Sequence, residues 1–90
     1  MSKDKEDLQS SFSDAVFIIE SSCILFSNKD LSILYSYYKQ ATIGDCKTEA
    51  PSFWNFKGKT RFKAWNKLKG MSKERAMKNF IIKVEELTYE

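Results

Sequence analysis

Hydrophobic side chains recur at helical spacing in four separate stretches of this 90-residue chain. In residues 8–22 and 29–43, apolar positions follow the i, i+3, i+4, i+7 pattern of one helix face. Residues 59–69 show a narrower stripe, and residues 73–87 show the cleanest one. No stretch alternates with the period of two that is typical of a strand. The pattern therefore predicts an all-α fold of four helices.

Residues that commonly cap helices stand at several of the predicted ends. Ser27 or Asn28 can cap the start of the second helix, and Gly44 can adopt the left-handed conformation that ends it. Gly70 is predicted to end the third helix, and Ser72 precedes the fourth as a candidate cap. The first and fourth helices have the most apolar stripes, so we expect them to pack together and form much of the core.

Two connections differ in character. Residues 23–28 are short and unusually apolar, and we expect Ile24, Leu25 and Phe26 to pack beneath the helices. Residues 45–57 form a long loop that contains the only proline, Pro51. A loop of this length allows the third helix to start far from the end of the second.

Composition places the chain among ordinary globular proteins. With 42% apolar and 30% charged residues, residues 1–90 are predicted to form a single domain. The longest apolar runs are far shorter than the roughly 20 residues that a membrane-spanning helix needs. The first ten residues are polar and unlike a secretory signal. We therefore expect a cytoplasmic protein with no transmembrane segment, in which Cys23 and Cys46 are reduced thiols.

The sequence contains no histidine. This excludes histidine-based metal sites and the Ser–His and Cys–His pairs of many nucleophilic enzymes. There is also no glycine-rich loop of the kind that binds phosphates, and no two carboxylates have a spacing that indicates a catalytic pair. We predict that the chain is not an enzyme and that it has no catalytic residues, no metal site and no cofactor.

Charge is unevenly distributed around a net value of +3. Residues 1–30 hold six acidic and three basic side chains, whereas residues 57–83 hold ten basic side chains and one acid, Glu74. A basic segment of this kind indicates an anionic partner. The alternative interpretation is a pair of lysine-rich helices whose charges are merely solvated.

Tyr35, Tyr38 and Lys39 have the spacing i, i+3, i+4 and therefore share one face of the second helix. Their two rings, two hydroxyls and one ammonium suit a ligand with a flat ring and a phosphate. Taken alone, the two tyrosines fit a packed core stripe better. Lys39 favours a ligand-binding face, because a buried lysine without a partner is costly.

These three residues lie in a segment, residues 35–45 with the sequence YSYYKQATIGD, that resembles the acyl-CoA-binding protein family. The resemblance covers residues 12–87 without a gap. Several ordered segments at family spacing are a far more specific signal than any one of them. The other matching segments are TE at 48–49 with Pro51, FKGK at 56–59, AWNKLKG at 64–70, SKE at 72–74 with Ala76-Met77, and KVEEL at 83–87.

The resemblance implies a four-helix bundle with up-down-down-up topology and a long overhand loop between helices 2 and 3. It also implies a protein that binds long-chain fatty acyl-CoA esters and serves as an intracellular carrier and buffer for them. Such a carrier is expected to be a monomer that delivers acyl-CoA to enzymes using it. Transient membrane contact would be compatible with this role, and no nucleic-acid partner is expected.

The resemblance further implies which residues contact the ligand. In such proteins basic groups and tyrosine hydroxyls meet the 3′-phosphate of the adenosine, aromatic groups cover adenine and ribose, and the acyl chain lies in a groove. Carried over by position, the expected ligand-binding residues are Tyr35, Tyr38 and Lys39 from helix 2, Lys57 and Arg61 from the start of helix 3, and Phe80 from helix 4.

Four positions depart from the family pattern. Phe80 replaces a common tyrosine, and Arg61 replaces a lysine. Glu20 stands where relatives often carry a basic residue, and Ser32 stands where a larger apolar residue would help line the acyl groove. These departures bear on affinity and chain-length preference more than on ligand class. They also motivate the alternative function, a helical interaction or nucleic-acid-binding module with weakened ligand binding that uses residues 57–83.

Overall fold

The computed structural model describes residues 2–22, 25–47 and 56–88, and this part of the chain contains helices and no strands. The predicted all-α class is therefore confirmed. The four helices are α1 (Ser2–Ser21), α2 (Asn28–Thr42), α3 (Phe56–Asn66) and α4 (Lys73–Thr88).

α2 and α3 run in the same direction. The guanidinium carbon of Arg61 lies 5.5 Å from the centroid of the Tyr35 ring. One turn further along both helices, the Lys39 ammonium lies 5.9 Å from the Trp65 ring. Contacts that advance together along two helices require a parallel pair. Both helices consequently start at the same end of the bundle, which is why a long connection must separate them.

α4 runs antiparallel to α2. Lys83, late in α4, forms an ion pair of 3.2 Å with Asp30 at the start of α2, whereas Phe80 contacts Tyr38 further along α2. α1 is also antiparallel to α2, because Phe12 stacks on Tyr38 and the end of α1 shares a cavity with the start of α2. The order is up-down-down-up, as predicted.

The hydrophobic core lies where α1, α2 and α4 meet. α4 packs against both α1 and α2, and α2 packs in addition against α3. The prediction that the first and fourth helices pack together is confirmed, but α2 shares the core with them. The buried core residues are Phe12 and Ala15 from α1, Leu34 and Ala41 from α2, and Ala76, Phe80 and Val84 from α4.

α1 starts at Ser2, well before the predicted start at residue 8. Apolar periodicity marks only the part of a helix that packs on a core, so a polar leading turn leaves no such signal.

α3 is displaced relative to its predicted range, since it covers Phe56–Asn66 rather than residues 59–69. Residues 67–70 form turns instead, and the Leu68 N–H donates to the Trp65 carbonyl at 2.9 Å, in the tighter i to i−3 pattern. Gly70 has a φ of +93° and ends these turns, not the helix itself.

The connection between α1 and α2 does not pack as expected. Leu25 is 97% exposed, so the prediction that it lies beneath the helices is wrong. Phe26 is half-buried. Cys23 and Ile24 lie outside the described residues.

Predicted caps hold the ends of α2 and the start of α4. Ser27 accepts a hydrogen bond from the Asp30 N–H at 3.0 Å, and Ser72 accepts one from the Arg75 N–H at 3.1 Å. Gly44 follows α2 with a φ of +101°, a conformation that residues with a Cβ rarely adopt. The sequence signals for these ends are therefore confirmed.

A hydrogen-bond cluster joins the end of α2 to the connection between α3 and α4. The Gln40 Nε2 group donates to Asp45 Oδ1 at 2.9 Å and to the Met71 carbonyl at 2.8 Å. The Gly70 N–H donates to the same Asp45 oxygen at 2.8 Å. Gln40 is fully buried. Because both of its partners are acceptors, they fix the orientation of its amide group.

These hydrogen bonds lower the pKa of the Asp45 carboxyl. The Gly70 N–H is the largest cause, the Gln40 amide is the next, and Lys69 and Lys47 add positive charge. A carboxyl whose pKa is lower in the folded than in the unfolded state stabilises the fold above its unfolded pKa, which is about 4. That contribution is lost as the pH falls through the folded-state pKa.

We expect Asp45→Asn to lower the melting temperature at neutral pH and to make it less dependent on pH below about 4. The amide can still accept a hydrogen bond but carries no charge to lose. Thermal unfolding followed by circular dichroism between pH about 7 and 2.5 measures both effects. Part of the decline will remain in the variant, because Lys83 and Ser27 also lower the pKa of Asp30.

Asp14→Asn is the matched control. Asp14 is exposed on α1 and forms no hydrogen bond or ion pair with any described residue. It should reproduce the acid-induced decline of the unmodified chain. An Asp45→Asn melting temperature that falls as steeply between pH about 4 and 2.5 would contradict the role of Asp45.

Candidate functional site

A groove of about 320 Å³ lies between α1, α2 and α4, with Arg61 of α3 on one side. Four of the six predicted ligand-binding residues meet in it, namely Tyr35, Tyr38, Arg61 and Phe80. The complete lining is Val16, Ile19, Glu20, Leu31, Leu34, Tyr35, Tyr38, Arg61 and Phe80.

Three aromatic rings form a packed base for the groove. Phe12 meets Phe80 edge to face at 5.1 Å between centroids, and it stacks on Tyr38 at 6.1 Å. Aromatic pairs of this kind contribute about 0.5–1.5 kcal/mol beyond the burial of their area. Phe80 is only 3% exposed, so it belongs to the core and the groove at once.

Two positive charges flank the ring of Tyr35. The Lys39 ammonium lies 5.6 Å and the Arg61 guanidinium 5.5 Å from its centroid, both within the range of a cation–π contact. Within the described part of the chain, neither cation forms an ion pair. Two like charges held near one ring repel each other, and an anion bound near both would relieve that repulsion.

Lys39 lies beside the groove and does not line it. Its ammonium is also 5.9 Å from the ring of Trp65, which is 5% exposed. The Trp65 Nε1–H donates to the Gly44 carbonyl at 2.9 Å, which fixes the ring. Trp65 is therefore a structural residue between α3 and the end of α2. The side chain of Lys57, the remaining predicted ligand residue, lies outside the described residues.

The apolar wall of the groove was not predicted as part of the site. Val16 and Ile19 of α1 and Leu31 and Leu34 of α2 line it, although their spacing indicated only core positions. Leu31 precedes Tyr35 by one helical turn. Extending the tyrosine stripe by one turn would have found this part of the wall.

Two of the residues that depart from the family pattern, Glu20 and Ser32, occupy different places in the structure. Glu20 is exposed and lines the groove, so it faces the candidate site. Ser32 is 7% exposed and lines a different cavity, between α2 and α3. The structure thus brings a carboxylate to the groove but does not place Ser32 in it.

The groove combines an apolar wall with a polar end, which Tyr35, Tyr38 and Arg61 line and beside which the Lys39 ammonium lies. Such a combination suits a ligand that has both a long apolar part and an anionic part. In the described residues, no group of acidic or cysteine side chains could hold a metal ion. No helix in that part is long and apolar enough to cross a membrane.

Comparison with known proteins identifies the same class of ligand. The family model described as "Acyl CoA binding protein" matches residues 9–84. The chain is 48% identical over 61 residues to the acyl-CoA-binding domain-containing protein 6 homolog of Dictyostelium discoideum, a match covering 68% of this chain and 21% of that protein. It is 39% identical over 77 residues to acyl-CoA-binding protein homolog 1 of Caenorhabditis elegans, covering 86% of this chain and 90% of that protein.

Among solved structures, the fold matches the crystal structure of Oryza sativa Acyl-CoA-Binding Protein 2 with a TM-score of 0.86 and 36% sequence identity. The match covers 92% of this chain and 90% of that structure. Agreement of sequence and fold over this length shows a common family.

We expect Phe80→Ala to lower the free energy of unfolding by about 3–5 kcal/mol, since it leaves a cavity beneath the groove. Urea denaturation measures this change. Ile82→Ala is the matched control on the same helix, because Ile82 is 52% exposed and should cost within about 0.5 kcal/mol. Equal losses in the two variants would show that Phe80 is not part of the core.

Proposed function

Because the chain belongs to the acyl-CoA-binding protein family, we propose that the groove between α1, α2 and α4 is its acyl-CoA site. The function of the chain is to bind long-chain fatty acyl-CoA esters and to act as their carrier and buffer. The observation that carries the assignment of the site is the junction of an apolar groove with Tyr35 and its two flanking cations.

The apolar wall takes the acyl chain in this proposal. Burial yields about 0.8 kcal/mol per methylene, so a long chain supplies on the order of 10 kcal/mol before the costs of association. Val16, Ile19, Leu31 and Leu34 offer the surface for this burial. Affinity should therefore rise with chain length until the wall is filled.

The nucleotide end of the ligand lies against the polar end of the groove. Lys39, Arg61 and the hydroxyls of Tyr35 and Tyr38 bind the 3′-phosphate through charge-assisted hydrogen bonds. Lys57, in the first turn of α3, is proposed to join them. Arg61 offers a planar fork that can hold two phosphate oxygens at once, which a lysine at this position cannot do.

Two residues are proposed to weaken binding. Phe80 packs at the base of the groove but has no hydroxyl to donate, which costs about 0.5–1.5 kcal/mol relative to a tyrosine that bonds the ligand. Glu20 brings a negative charge to the groove wall and repels an anionic ligand over short distances. Both effects change affinity and leave the class of ligand the same.

We propose binding and delivery without catalysis, in the cytoplasm and as a monomer, with enzymes that use acyl-CoA as recipients. The groove supports this role because its residues are suited to holding and shielding the ligand. The alternative of a nucleic-acid-binding module is not favoured. Binding to a nucleic-acid backbone would use the basic surface and would leave an apolar groove unexplained.

We expect Lys39→Ala to weaken palmitoyl-CoA binding roughly tenfold and to change the melting temperature little. The loss follows from removing one charge-assisted hydrogen bond, worth about 1.5 kcal/mol or more. Isothermal titration calorimetry measures the affinity. Lys78→Ala, which removes an exposed lysine of α4, is the matched control and should bind as the unmodified chain does. Equal affinity of the Lys39→Ala and Lys78→Ala variants would refute the proposed site.

We also expect the unmodified chain to bind palmitoyl-CoA more tightly than its 3′-dephospho analogue. Arg61→Ala should reduce this preference, because it removes a partner of that phosphate. Arg75→Ala is the control, since it removes an exposed arginine of α4. A preference that stays the same in Arg61→Ala would place the phosphate elsewhere.

A further inference from the structure

A second cavity, of about 430 Å³, lies between α2 and α3. Its volume is within the range of about 300–1,000 Å³ that is usual for small-molecule sites. None of the residues that line it lines the acyl-CoA groove. On α3, Arg61 lines the groove, whereas Lys63 and Ala64 line the second cavity together with Lys67, which follows the helix. The two cavities are thus separate features of the same helix pair.

Three lysines make the second cavity electropositive. Lys63 is on α3, Lys67 follows the last residue of α3 one turn further along, and Lys29 lines the cavity from the start of α2. No carboxylate lines the cavity, and none of the three forms an ion pair within the described part of the chain. Asp30 follows Lys29, but it pairs with Lys83 of α4 at 3.2 Å. An anion in the cavity would meet three positive charges together with the positive N-terminal end of α2.

Most of the surface that lines the cavity is apolar, although Asn28, Ser32 and Thr60 bring polar groups to it. Ile33 and Ala64 contribute hydrocarbon surface, and the methylene stems of the lysines add more. Ser32 is 7% exposed and brings one hydroxyl to the same space. An inorganic anion would use the charges but not this surface, whereas an uncharged alkyl chain would use the surface but not the charges.

We propose that the cavity between α2 and α3 is a second binding site, distinct from the acyl-CoA groove, for an amphipathic anion with one anionic headgroup on a short alkyl chain. The headgroup meets Lys29, Lys63 and Lys67, and the chain lies on Ile33 and Ala64. Fatty-acid carboxylates and single-chain phospholipids share this chemistry. Binding at this site does not depend on whether the acyl-CoA groove is occupied.

The test is a two-dimensional ¹⁵N–¹H NMR titration of the full chain saturated with palmitoyl-CoA. Decanoate and decyl phosphate, both kept monomeric, are the amphipathic probes, and inorganic phosphate and decanol supply the headgroup or the chain alone. We expect the amphipathic probes to shift the amides of Ser32, Ile33, Lys63 and Ala64. Each should bind at least fivefold more tightly than the headgroup or the chain alone.

Charge reversal tests the role of the lysines. The double variant Lys63→Glu, Lys67→Glu should weaken decanoate binding at least tenfold and still bind palmitoyl-CoA, which shows that it is folded. The matched control Lys78→Glu, Lys73→Glu makes the same charge change on α4 and should bind decanoate as the unmodified chain does.

Several results would overturn the second site. Shifts confined to Tyr35 and Tyr38, or displacement of decanoate by palmitoyl-CoA, would mean that the probe occupies the acyl-CoA groove. Equal weakening by both double variants would indicate a nonspecific charge effect. Cosedimentation with phosphatidylglycerol vesicles, without any shift caused by monomeric decanoate, would show adsorption to a lipid surface and no cavity site.

Discussion

The hydrogen bonds of Gln40 and Asp45 hold the bundle in the arrangement that the groove requires. They connect the end of α2 to the connection between α3 and α4, so the positions of three helices depend on one small cluster. The arrangement has a cost, since the buried Gln40 Oε1 has no hydrogen-bond donor among the described residues. A buried unpaired acceptor costs about 1–3 kcal/mol. The gain from placing α2, α3 and α4 correctly has to offset this cost.

The positive charges near the groove are concentrated around Tyr35. Val16, Ile19, Leu31 and Leu34 form its apolar wall, while Arg61 lines it near Tyr35 and Lys39 lies beside it near the same ring. Because neither cation has an acidic partner in the described part of the protein, their charge is available to a ligand. The binding mode proposed above follows from this distribution, with the phosphates of the ester at the tyrosine end. Trp65 supports this arrangement by packing under Lys39.

The sequence allowed prediction of most of this structure, and the exceptions have physical causes. Periodicity located the core faces, and Ser27, Gly44 and Ser72 marked helix ends correctly because each makes a local backbone contact. The start of α1 was missed because its first residues are polar and give no apolar pattern. The resemblance to the family predicted Tyr35, Tyr38, Arg61 and Phe80 as ligand-binding residues, and the structure brings these four residues to one groove. The apolar wall was missed since periodicity cannot distinguish a residue facing a cavity from one facing the core.

The contact between Phe12 and Phe80 joins residues that are about 70 positions apart in the chain, and such contacts raise the relative contact order. Because α2 and α3 are parallel, they cannot form the simple antiparallel hairpin that two neighbouring helices form without the rest of the chain. Loop-closure entropy must therefore be overcome before these contacts stabilise the fold. We infer that this bundle folds more slowly than a helical protein of the same length in which each helix packs on the next. Its ligand site comes into existence only when both ends of the chain have been brought together.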